Sequence, residues 1–154
     1  DVIPGWSLRR MESYCDYEYY KFDVIIPPFD DAPVETVIGD CWHRFYVRML
    51  EVWQSIGIVE QALKKHETAE GSHRIEPPKQ LPAGEAYVET ECPRGQMGFY
   101  VVGQAKSTVP LRVRARSSSF SNLSVTDDIC RNCLIADVPA IVGSIDIVMG
   151  EIDR

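Results

Sequence analysis

Long apolar runs are missing from this chain of 154 residues. Its most apolar stretch, Leu134 to Met149, is broken by Asp137, Pro139, Gly143, Ser144 and Asp146. A membrane-crossing helix needs about 20 consecutive apolar residues, so no membrane span is expected and any membrane association should come through partners. Positive charge is also short. Lys and Arg number 16 against 23 Asp and Glu, a net charge of -7, and a chain this acidic lacks the basic face that a nucleic-acid partner requires. Gly95, Gly98 and Gly103 do not form the G-x-G-x-x-G of a dinucleotide cradle, and no P-loop is present. Histidine is scarce. His43, His66 and His73 stand apart from any Cys or Ser in a nucleophile context, and His43 is expected on a helix surface. The five cysteines are odd in number and scattered, unlike a secreted disulfide framework, which points to a reducing compartment. Cys130 and Cys133 have the spacing of half a zinc site or of a redox pair. No second close pair of ligands exists, so plain buried thiols are expected and no metal. No initiator Met or basic leader precedes Asp1-Val2-Ile3-Pro4-Gly5, from which either a removed targeting segment or a fragment is expected.

What is present suits one domain with a modest core, since 45% of residues are hydrophobic and 25% charged. Residues 1–38 are aromatic and turn-rich. Tyr14, Tyr17, Tyr19, Tyr20 and Phe22 are too many large rings to leave in water and should pack on something, another chain included. Phe22 to Ile26 reads as a short strand stopped by Pro27 and Pro28. Asp40 can cap a helix over Cys41–Lys65, in which Phe45, Met49, Val52, Ile56, Val59 and Leu63 recur at spacings of four and three. Gly57 inside it costs about 1 kcal/mol relative to Ala and marks either a close backbone approach or tolerated slack. Residues 66–82 read as a polar loop.

From Glu85 the period changes to two. Ala86, Val88 and Thr90 alternate with Tyr87, Glu89 and Glu91, Pro93-Arg94-Gly95 turns, and Met97–Val102 returns. Leu111, Val113 and Ala115 alternate with Arg112, Arg114 and Arg116, a third strand with one basic face, ended by Ser117-Ser118-Ser119. That face could bind an anion, although acidic neighbours are plentiful. Short helices are expected near residues 125–132 and 135–141, with Pro139 near the start of the second. The terminal Gly143–Arg154 is mostly apolar, so it should insert into a core or an interface. Asp146, flanked by Ile145, Ile147 and Val148, would then be a largely buried carboxylate in need of a partner. The fold class is α+β: a long amphipathic helix, a small antiparallel sheet and a buried C-terminal segment.

Several of these stretches resemble one family. Gly39-Asp40-Cys41 with Arg44, Tyr46-Val47-Arg48 and Gln54-Ser55 is similar to a helix motif of the 49-kDa subunit of respiratory complex I, its hydrogenase-like large subunit. Trp6, Leu8 and Arg9; Phe22-Asp23-Val24; Pro82-Ala83-Gly84-Glu85; Pro93-Arg94-Gly95; Gly98 to Val102; Ser119-Phe120 with Leu123; Leu134 to Val138; Ala140 to Val142; and Gly143 to Arg154 follow in family order over nearly the whole chain.

The resemblance implies the C-terminal part of a nickel–iron hydrogenase large-subunit-like fold over residues 39–154, with residues 1–38 packing on partners. Hydrogenase chains end in D-P-C-x-x-C-x-x-H. Here Asp146 keeps the Asp, Val148 and Glu151 stand at the cysteine positions and Arg154 at the His position. Val offers no thiolate, the soft ligand such a centre needs, so no metal is implied. The implied function is a part of a proton-pumping NADH:quinone oxidoreductase, at the junction of its peripheral and membrane arms. Asp146, Val148 and Arg154 would line the quinone chamber, with Arg154 also fixing the terminal loop. A purely structural subunit of that assembly is the alternative. No cofactor is implied on this chain, and no complete catalytic site. Quinone, a neighbouring subunit's iron–sulfur cluster, a chain carrying the N-terminal half with its quinone-contacting His and Tyr, and the other complex I subunits are the implied partners. The implied location is the matrix side of the mitochondrial inner membrane, with the cytoplasmic face of a bacterial membrane or a plastid thylakoid as alternatives. Departures from the pattern are Gln96 for Glu, Trp53 for Arg, Cys133 for His, and the short loop 66–82 where the family has a helix.

Overall fold

The computed structural model describes residues 7–12 and 14–153. They form two compact units, one built from the described residues up to Ala69 with Leu123–Asp146, the other from Glu70–Asn122 with the described residues from Ile147 onward.

In the first unit α1 (Leu8–Met11) and a 3-10 turn (Tyr17–Tyr19) precede the long helix α2 (Cys41–Glu67), which runs two residues past the expected end. Asp40 starts it as expected. Its backbone is extended, and its Oδ1 accepts the His43 N–H at 2.8 Å, satisfying one of the orphan donors of the first turn. Lys64, Lys65 and His66 occupy the last turn, where positive charge meets the negative end of the helix dipole.

The stripe of six apolar residues is open. Phe45, Met49, Val52, Ile56, Val59 and Leu63 are each between 45% and 60% exposed, and Trp53 beside them is 70% exposed. The chain's own N-terminal segment clads the polar side of α2 instead. Gln61 accepts the Lys21 N–H at 2.9 Å and donates to the Lys21 carbonyl at 2.7 Å, and Gln54 accepts the Asp23 N–H at 3.0 Å. Arg9 donates to Ser55 at 3.2 Å, and Lys65 donates to the Tyr19 carbonyl at 3.0 Å. These bonds correct the strand expected at Phe22–Ile26. The segment is not a strand; its Asp23 amide, like that of Lys21 just before it, is met by a glutamine side chain of α2 rather than by a neighbouring strand.

His43 is a second correction. It is 4% exposed rather than on the helix surface. Phe29 folds back to stack on its ring at 5.9 Å, and Asp40 Oδ1 holds its Nδ1 at 2.9 Å. The aromatic segment does bury Tyr14 and Tyr17, edge to face at 5.4 Å, whereas Tyr19 stays 65% exposed.

After α4 (Thr126–Ile129), shorter than expected, a 3-10 turn (Ile135–Asp137) leads into α5 (Val138–Ser144). Pro139 lies in the first turn of α5, where a missing N–H costs nothing. Helix α5 packs on α2 and buries Ile141 and Ile145.

The second unit holds the antiparallel sheet β1 (Gly84–Cys92), β2 (Gly95–Gly103) and β3 (Arg112–Arg116), in the order β1-β2-β3. Cys92 pairs with Gly95 across a two-residue turn, and Gly95 takes the positive φ of 126° that closes it. The ring of Tyr87 lies where a Cβ on Gly98 would stand. The expected alternation is present, but it does not divide buried from exposed. Val88, Leu111 and Val113 are as open as the three arginines of β3. Ser117-Ser118-Ser119 does more than end β3. Ser117 Oγ accepts the Phe120 N–H at 3.3 Å and starts α3 (Ser118–Leu123). Helix α6 (Met149–Asp153) closes the described chain.

Candidate functional site

The residues expected at the site end in different places. Asp146 closes the first unit and Val148 belongs to the second, while Arg154 lies outside the described residues. Asp146 is half-buried rather than largely buried, since it follows α5 in a left-handed conformation (φ 51°) instead of continuing the helix into the core.

In the first unit the surroundings of Asp146 are cationic. Arg44 and Arg48 project from one side of α2, one turn apart. Arg44 Nε donates to Ser144 Oγ at 2.8 Å and its Nη2 to Cys41 Sγ at 3.1 Å, and Arg48 Nη2 donates to the Ser144 carbonyl. Ser144, itself buried, donates to the Ile141 carbonyl at 2.6 Å. The two guanidiniums therefore tie the C-terminal end of α5, where carbonyls lack helical partners, to α2. Burial lowers the Arg48 pKa, and the nearby Asp146 carboxylate opposes that shift.

In the second unit the ordering group is Glu151. Its Oε2 accepts from Ser119 Oγ at 2.6 Å, Ser118 Oγ at 3.1 Å and the Ser119 N–H at 3.3 Å, and its Oε1 accepts from Cys92 Sγ at 3.1 Å. The Ser119 hydroxyl, joined by Cys92, the Ser119 amide and Ser118, outweighs partial burial and lowers the carboxyl pKa to about 2. Glu151 is thus an anion across the physiological range with both oxygens engaged. Ser119 is fully buried, and its oxygen also accepts the Val148 N–H at 3.2 Å. Sequence reading passed over this node because three consecutive serines look like a terminator; their only local signal was the helix-capping chemistry of serine.

The thiols expected to be buried are not. Cys133 is exposed and Cys130 half-buried, both free, because the turn after α4 carries them on the surface. Among the described residues no group of three or more His, Cys, Asp or Glu side chains converges as a ligand set. No described helix is long and apolar enough to cross a membrane.

The chain is of the α+β class, with a long helix in the first unit and a three-stranded antiparallel sheet and a carboxylate-bearing terminal segment in the second. The chain matches the family model described as "Respiratory-chain NADH dehydrogenase, 49 Kd subunit" over residues 4–80 and 73–154, two stretches that overlap within the polar loop before β1. It belongs to that family. It is 47% identical over 152 residues to the D-subunit of the NADH-quinone oxidoreductase of Pelodictyon phaeoclathratiforme, covering 97% of this chain and 37% of the relative. It is 46% identical over 154 residues to the D-subunit of the Chlorobium luteolum enzyme, covering 97% and 38%. For the D-subunit of Chlorobaculum tepidum the figures are 47% over 152 residues, 97% and 37%. The chain therefore spans little more than a third of the length of these bacterial relatives.

Proposed function

We propose that the chain works as the C-terminal part of the 49-kDa-type subunit of a proton-translocating NADH:quinone oxidoreductase, where Asp146, Val148 and Arg154 border the quinone chamber near the junction of the two arms. The observation that carries this reading is the match to relatives of that type along 97% of the chain. Hydride transfer and the iron–sulfur clusters reside on other subunits in this reading, the nearest cluster on a neighbouring iron–sulfur subunit. The exposed apolar stripe of α2 supports a role inside an assembly, since a free chain does not leave six large apolar side chains of one helix in water. The bacterial origin of the relatives supports the cytoplasmic face of a bacterial membrane over the mitochondrial inner membrane or a thylakoid.

Asp146, beside the half-buried Arg48, supplies the field that quinone reduction and protonation need. Asp146→Asn keeps the shape and removes the charge. In the assembled enzyme it should lower quinone reductase activity while NADH oxidation by an artificial acceptor survives. Normal assembly with a wild-type quinone rate removes the chamber role and leaves the alternative, a structural subunit of the same complex. The observation favouring that alternative is that Arg44 and Arg48 both bond to Ser144, an architectural use of their charge.

A further inference from the structure

We propose that Ser119 is a positioning residue that fixes Val148 by bridging it to the Glu151 carboxylate; this rests on the reading that Val148 borders the quinone chamber. The residues involved all belong to the second unit. A serine hydroxyl has one proton to give and lone pairs to receive. Ser119 gives its proton to Glu151 Oε2 at 2.6 Å and receives the Val148 N–H at 3.2 Å. The short, charge-assisted bond to the carboxylate sets the direction of the hydroxyl and turns its lone pairs toward the Val148 amide. With no exposed surface, Ser119 admits no water that could take over either role. Glu151 is itself fixed by Ser118, by the Ser119 amide and by the buried Cys92 at the end of β1. The chain of bonds runs from the paired end of the hairpin, through Glu151 and Ser119, to the backbone of Val148. A carboxylate at position 151 thus has a use that a metal-binding thiolate at the same position would not serve. It accepts four hydrogen bonds and locks the terminal segment.

The test uses the assembled oxidoreductase, with amide exchange read on a peptide covering residues 144–153 and quinone kinetics read with a short-chain ubiquinone analogue. Ser119→Ala should speed exchange at the Val148 amide about fivefold, the loss of one hydrogen bond. It should raise the KM for the analogue several-fold while kcat and NADH oxidation by an artificial acceptor hold. Glu151→Gln, which keeps shape but loses charge, should give an intermediate effect on both, and supplies the measurement if Ser119→Ala does not assemble. Ser119→Thr, which restores the hydroxyl, should bring the KM back toward wild type, whereas a merely structural role would reduce the amount of complex without moving KM. Unchanged exchange at Val148 in Ser119→Ala or Glu151→Gln overturns the proposal. So does faster exchange with an unchanged KM when Val148→Leu does change it. A wild-type KM in Val148→Leu sinks the chamber reading instead, and exchange alone then decides on Ser119.

Discussion

Replacing Ile56 with Asp puts a charge in the middle of the open stripe of α2. Ile56 is 45% exposed, and Val52 and Val59, its neighbours along the stripe, are 51% and 56% exposed. Full burial of such a side chain is worth about 1.5–3 kcal/mol, so roughly 1 kcal/mol per residue is still to be gained here, or about 6 kcal/mol over the six positions before the costs of association. The spacings of four and three repeat every seven residues, the period of a helix-against-helix seam. Glu60 and Glu67 fall along one edge of the seam, which favours a partner helix that carries positive charge opposite that edge. An Asp at position 56 forfeits its own share and introduces an unpaired carboxylate costing about 3 kcal/mol more. The sum, about 4 kcal/mol, corresponds to roughly a thousandfold weaker docking. Incorporation into the complex, measured on native gels against the harmless loop variant Lys79→Asp, should fall to background. The free chain should self-associate as wild type and become more soluble as Ile56→Asp. Incorporation of Ile56→Asp at the wild-type level, or a wild-type chain that is monodisperse alone, would refute the reasoning.

Nothing lies within 4 Å of a Cβ built on Gly57, so Gly57→Ala should raise the helicity of a peptide spanning residues 36–68 by about 1 kcal/mol of helix stability, read by circular dichroism. Lower helicity contradicts the slack reading, and blocked assembly with higher helicity reveals a partner backbone over that site. Acid should loosen the terminal segment late. Because the folded pKa of Glu151 lies near 2, below its ordinary 4.5, the stabilisation is fully present above 4.5 and is lost as pH falls from 4.5 toward 2. It is smaller than the shift alone implies, since Glu151 is partly open to solvent. An acid titration of the soluble Ile56→Asp chain should show this extra loss, and the same chain carrying Glu151→Gln should not; identical acid profiles would count against the clamp.

Local chemistry was legible in the sequence wherever neighbours along the chain decide the outcome. Asp40 caps α2 because its carboxylate needs only the amide three residues on, and the β1–β2 turn follows from the positive φ that Gly95 accepts. The period-two alternation of the strands and the proline-free run of α2 set the element types, and the motifs set the family. What only the tertiary structure decided is which face each element covers. The apolar stripe of α2 and the apolar residues of β3 have the right periods for a core, yet both are open, because periodicity states that a face must be buried without stating by what. The polar face of α2 is the covered one, since the backbone at Lys21 and Asp23 finds its hydrogen bonds in Gln61 and Gln54. His43 became buried through Phe29, fourteen residues before it in the chain. The Glu151 node joins Cys92, Ser118 and Ser119 at separations of 32 to 59 positions. No spacing rule encodes such a separation, because hydrogen bonds between side chains that distant exist only once the backbone has brought them together.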